Sequence, residues 1–234
     1  MSPLLERLGG DFLPTFLTGM AVNFEIAAMA VVIGLLAGLP LAYARASTSR
    51  PALGLALTLV GLMRAAPTFV VMFFLLNVMP RDAELFGVPL ALSGVMTVAL
   101  SLVPYSAAYV ADSGVEALQQ WRRGSHLGAL LFLPNMTRAF FVVVMSSGAA
   151  AAIGVTEGIS VILRQAELLP SLGDRLALFA IGIVLFGVPL QLGFAFIRWL
   201  QRMLASRITA RQANAWVTID RFSALACSKA RPSS

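Results

Sequence analysis

Charge is scarce in this chain. Asp, Glu, Lys and Arg make up 12% of its 234 residues, about half the share a soluble domain carries. With 59% hydrophobic residues and a mean hydropathy of +0.85, that scarcity excludes a water-soluble fold hiding its apolar surface in one core. Cysteine occurs once, at Cys227, which excludes an internal disulfide and a cysteine metal cluster. Histidine also occurs once, at His126, and no carboxylate cluster has metal-ligand spacing. A glycine-rich loop with a lysine to cradle phosphates is missing as well. The sequence therefore offers no catalytic residues, no metal site and no cofactor in this chain, and any ATP must be used by a partner subunit. Nothing points to nucleic acid as a partner. A solenoid repeat and the even alternation of a membrane barrel are absent, and no connection is long enough for a soluble domain. The start, MSPLLERLGGDF, sets Glu6 and Asp11 beside Arg7. It lacks the cationic opening of a cleaved signal, so the first apolar run reads as retained.

What the chain does have is long apolar runs. Five of them, at about 16–44, 55–78, 90–110, 127–154 and 176–200, approach or exceed the roughly 20 residues that cross a bilayer as a helix. The expectation is an all-α polytopic membrane protein: a membrane domain over 1–207 and a polar tail over 208–234. Sixteen of the seventeen basic residues are arginine, and their placement sets orientation. Arg45, Arg50 and Arg64 follow the first run, Arg122 and Arg123 the third, and Arg198, Arg202, Arg207 and Arg211 the fifth. That side is expected to be cytoplasmic, with the N-terminus outside and the C-terminus in the cytoplasm.

Ionisable groups within apolar runs are costly and face a cavity or a partner. Glu25, Asp112 and Arg138 are such groups. Each fits a solute route, an interfacial position or a helix-to-helix ion pair, and Glu25 with Arg138 is one pair to look for. The third run adds Ser101, Pro104, Tyr105, Ser106 and Tyr109; a proline there frees a carbonyl, and hydroxyls face protein or water. Small residues from Ser146 and Ser147 to Ala152 allow close helix packing or a solute-facing surface. The candidate pathway set is Glu25, Met72, Ser101, Tyr105, Tyr109, Asp112, Ser146 and Ser147.

Several segments resemble the permeases of polar-amino-acid ABC importers. MRAAPTFVVMFFLLNVMP, 63–80, is similar to that family's F-R-G-T-P-L-L-V-Q-L-F-F-L-Y-F-G-L-P, with Arg64, Pro67, Phe73, Phe74, Leu75 and Pro80 on its fixed points. TGMAVNFEIAAMAVVIGLLAGLPLAYAR resembles its first helix, AAYVAD at 107–112 its A-Y-L-A-E, and IGV at 153–155 with RQA at 164–166 its next outer segment. The resemblance spans about 15–207. It implies a type I importer permease subunit in a bacterial inner membrane. Such a subunit pairs with a second permease, rests on ATP-binding subunits, and receives amino acids or similar small polar solutes from a periplasmic binding protein. It also implies that the loop after the third run meets the ATPase through Trp121, Arg122, Arg123, Gly124, His126 and Gly128. The family's E-A-A is replaced there by Arg122 and Arg123, and the loop is shortened. The other reading is an accessory or structural membrane subunit, derived from such a permease, that does not translocate.

Overall fold

In this computed structural model, residues 10–78, 84–85, 88–89, 92–125, 129–130 and 132–229 are described, with 84–85, 88–89, 200 and 204–229 described by backbone alone. Helix α1 covers Phe12–Arg45. Helices α2, Arg50–Ala65, and α3, Thr68–Val78, follow. A small antiparallel hairpin then pairs β1, Glu84–Leu85, with β2, Val88–Pro89. Helix α4 runs Gly94–Arg122 and α5 runs Phe132–Ser146, the latter continued by a tighter 3-10 segment, Ser147–Ile153. Helices α6, Gly158–Glu167, and α7, Leu172–Lys229, complete the order. The chain divides into two units, Met1–Leu192 and Gly193–Ser234. The second holds the later part of α7, where Phe196 stacks on Trp199 at 5.7 Å.

Four stretches among the described residues are long and apolar enough to cross a membrane: Phe12–Arg45, Gly94–Arg122, Phe132–Ile153 and Leu172–Met203. The bent pair α2 and α3 makes a fifth if it is taken as one span. All-α membrane architecture is therefore as the sequence implies, but two expected spans differ. The run at 55–78 is not one straight helix, since α2 and α3 meet at 91°. The break falls at Pro67, which has no N–H to continue the ladder and disfavours the helical region for the residue before it. Ala66 is accordingly extended, at φ −73° and ψ 110°. The run at 90–110 is also longer than expected. Asp112 does not end it, because α4 continues to Arg122 and carries Trp121 in its last turn.

The centre of the first unit is a seam between α1 and α4, made of residues too small to keep the backbones apart. Ala30, Gly34, Gly38 and Ala42 recur every four residues and so share one face of α1. A Cβ on Gly38 would come within 2.6 Å of the Ala107 carbonyl oxygen, and one on Gly114 within 2.8 Å of Ala42 Cβ. Ser106 uses the closeness, donating from Oγ to the Ala30 carbonyl at 2.8 Å. Small faces and interhelical hydrogen bonds are what hold helices together where lipid removes the hydrophobic drive. An aromatic cluster secures the other end of α1: Phe12, Phe16 and Met20 pack with Val161, Ile162 and Ala166 of α6 and Leu178 of α7. Outward positions such as Leu36, Leu62 and Ile183 are large, apolar and exposed, as lipid-facing positions should be.

Candidate functional site

The break between α2 and α3 opens a cavity of about 250 Å³ against α4. Met63, Arg64, Ala66 and Thr68 line one wall, and Tyr105, Tyr109 and Asp112 the other. The three α4 residues lie three or four positions apart, hence on one helical face, and the tyrosine rings stand 6.3 Å apart. Arg138 of α5 lies near enough to act electrostatically on the Tyr105 phenol. Both ends of the break carry free backbone groups, the last carbonyls of α2 and the first N–H groups of α3.

Asp112 is the anchor of this cavity. Arg45, from the last turn of α1, bonds one carboxylate oxygen at 2.5 Å, and Arg64, from the last turn of α2, bonds the other. Exposure separates the two arms: the side chain of Arg45 is 19% exposed, that of Asp112 30% and that of Arg64 60%. The Arg45 arm is therefore the structural one. Arg64, though bonded to Asp112, is largely exposed, and the site holds one cation more than it has anions. The ends of two helices, α1 and α2, are tied to one carboxylate within α4, beside the Ala66–Pro67 break.

A second polar constellation, which sequence reasoning missed, lies between α1 and α6. Glu157 is 0% exposed and caps the start of α6. Its carboxylate accepts from Ile159 N at 2.8 Å, Ser160 N at 2.7 Å and the Asn23 amide at 2.9 Å. Asn23 also donates to Ser147 Oγ at 2.8 Å and accepts from Gly158 N at 3.0 Å. Three donors converge on this carboxylate, which is seated on a helix N-terminus where the backbone dipoles favour negative charge. Among the described residues no buried side-chain polar atom is left without a partner. The signal for this knot was the four-residue spacing of Gly19 and Asn23 with the small face of α1, together with the E-G-I-S run at 157–160 ahead of an apolar stretch.

Of the pathway candidates, Tyr105, Tyr109 and Asp112 come together in the cavity. Met72 is fully buried, and Ser101 is buried with its hydroxyl on the Val98 carbonyl of its own helix. Ser147 belongs to the Asn23 knot, while Ser146 is exposed and bonds Val142 within α5. Glu25 is exposed, and no ion pair joins it to Arg138 among the described residues. Of the loop candidates, Trp121 and Arg122 are helical rather than loop, Arg123 caps α4, and Gly124 turns the chain with φ +80°. His126 and Gly128 lie outside the described residues.

No protein-family model matches the chain, and no curated protein does. Among solved structures the chain is similar to one described as the crystal structure of an amino acid ABC transporter with histidines, at a TM-score of 0.63 and 20% identity. The match covers 87% of this chain and 99% of that one. Taken with the helix count and the broken second span, it makes this chain a multi-pass α-helical membrane protein with an ABC-permease-like fold.

Proposed function

We propose that this chain is the membrane-spanning permease subunit of an ABC importer for amino acids or similar small polar solutes, energised by separate ATPase subunits. One observation carries the reading: the cavity at the α2–α3 break, walled by Arg64, Tyr105, Tyr109 and Asp112. Broken helices are tolerated at membrane depth only where protein covers the break or a cavity meets it, and here a polar cavity does. Its chemistry suits the carboxylate of an amino acid, with the excess positive charge at Arg64 offered to that carboxylate and the tyrosine hydroxyls to the solute's other polar groups. The reading extends to the complex: a second permease subunit, ATP-binding subunits beneath, and a periplasmic solute-binding protein. It places the chain in a bacterial inner membrane with the arginine-rich ends of α1 and α4 in the cytoplasm. No catalytic step is assigned to the chain itself. Motion would reach the cavity through the helix ends tied at Asp112, because a partner that binds two conformations unequally shifts their populations. The similarity of fold to an amino acid ABC transporter supports this reading.

Purification from native membranes, with identification of the co-eluting chains, tests it. An ATPase and a second permease at stoichiometric amounts are expected; recovery of the chain with neither contradicts the proposal.

A further inference from the structure

The arginine-rich end of the bundle holds another cavity, of about 340 Å³, that the proposed route does not use. Leu39 and Tyr43 of α1, Ala117, Leu118 and Trp121 of α4, and Phe132 of α5 line it. It is a groove because the helices beneath it touch at Gly114 and Ala42, where no side chain fills the angle between them. Its lining is apolar apart from the Tyr43 hydroxyl and the Trp121 indole, and both rings are exposed. Arg122 follows Trp121 and donates from Nη1 to the Ala46 carbonyl at 2.6 Å, three residues beyond Tyr43. Arg123 comes next, and both arginines are exposed. Neither has a carboxylate partner among the described residues.

Depth decides what such a groove meets. Helix α1, with 34 residues, is about 50 Å long, against roughly 30 Å of hydrocarbon and 40–45 Å with headgroups. Leu39 and Tyr43 lie within two turns of its end, where acyl chains give way to headgroups. Tyrosine and tryptophan collect at that boundary, and unpaired arginines beside it attract anionic lipid. We infer that this groove binds one anionic phospholipid, an acyl chain lying on Leu39, Leu118 and Phe132 and the phosphate over Arg122 and Arg123. The apolar trough explains the chain, and the two uncompensated cations explain a preference for net negative over zwitterionic headgroups. Each arginine contributes about fivefold to that preference. The inference needs only that the protein spans a membrane, so it stands or falls apart from the solute route.

Native mass spectrometry of the purified, delipidated protein tests it, using phosphatidylglycerol or phosphatidylcholine of matched chains. Phosphatidylglycerol is expected to be retained in preference, with the preference falling about fivefold in Arg122→Gln and again in Arg123→Gln. Ala117→Leu, which fills the groove, should abolish retention of both lipids. If that variant does not elute as a monodisperse species, Leu118→Ser asks the same question by removing apolar contact. Equal retention of the two lipids, or arginine variants that keep the preference, overturns the proposal. So does efficient cross-linking of two chains through Leu118→Cys, which would seat a second copy in the groove.

Discussion

Replacing Gly38 with alanine puts the α1–α4 seam to a test with an internal control. The new Cβ would stand 2.6 Å from the Ala107 carbonyl oxygen and 2.6 Å from Val110 Cβ, where ordinary contact begins at 3.4 Å. Neither neighbour is the far end of a flexible side chain, so the helices themselves must part. They are pinned on both sides, by the Ser106–Ala30 bond toward one end and the Gly114–Ala42 contact toward the other. Overpacking of this kind costs about 1–3 kcal/mol. Helix propensity returns about 0.5–1 kcal/mol for Gly to Ala, leaving a net loss of up to about 2.5 kcal/mol. Gly61 of α2 has nothing within 4 Å of its Cβ position, so Gly61→Ala keeps the propensity gain without the clash. A domain of this size shifts by roughly 2–4 °C per kcal/mol. In detergent melts at a fixed scan rate, Gly38→Ala should therefore melt lower, by up to about 10 °C, and Gly61→Ala about 1–4 °C higher. If both variants shift upward alike, the two helices do not pack through Gly38 and the seam is misdescribed.

Other outcomes follow from the polar sites. Asp112→Asn removes the counter-ion of two arginines; the less exposed Arg45 arm dominates, at about 1.5–3 kcal/mol, and the open Arg64 arm adds less than about 1 kcal/mol. In the same melts, Arg45→Gln should cost far less in the Asp112→Asn background than alone, and strict additivity would show that the pair is not coupled. Asn23→Leu leaves the Gly158 N–H and an acceptor position on the Glu157 carboxylate unmet, costing about 1–3 kcal/mol for each buried group. Glu25→Leu, on the exposed face of α1, should change stability little, and equal losses from the two variants would refute the helical phase assigned here. For orientation, in a Cys227→Ala background, a cysteine at position 82 should react with an impermeant thiol reagent in intact cells while one at position 125 should not; the reverse pattern overturns the topology.

The membrane class and most helix positions were legible from the sequence, because long apolar runs with few charges leave the backbone no other way to satisfy itself. The break at Pro67 was not. Pro40, Pro104 and Pro189 all sit inside continuous helices, and nothing local separates them from Pro67. What differs is tertiary: Arg64 ties the end of α2 to Asp112 on another helix, and the chain after it departs at an angle. Charge drew attention to Glu25, while the residue that faces inward is Asn23, two positions earlier and therefore more than half a turn away. The sequence reading of Asp112 as either a route residue or an ion-pair partner left open what the structure joins, since it lines the cavity and binds both arginines. Glu157 carries no mark of burial in the sequence itself. Its burial follows from the close approach of Gly19 to the Glu157 backbone, where a Cβ would lie 2.8 Å from the Glu157 carbonyl carbon, a contact between residues far apart in the chain.

The central claim is that solute passes the cavity at the α2–α3 break, and ATP-driven uptake into proteoliposomes holding the assembled complex measures it most directly. A labelled mixture of amino acids supplies the solute, and uptake is normalised to the amount of this chain in the vesicles. Tyr109→Ala enlarges the cavity wall and removes a hydroxyl from it. The account predicts ATP-dependent uptake that falls at least about tenfold in this variant, the loss of one well-placed polar contact, with membrane levels unchanged. Uptake per molecule that is the same for Tyr109→Ala and the unaltered chain, or no uptake by the complete complex, would contradict it.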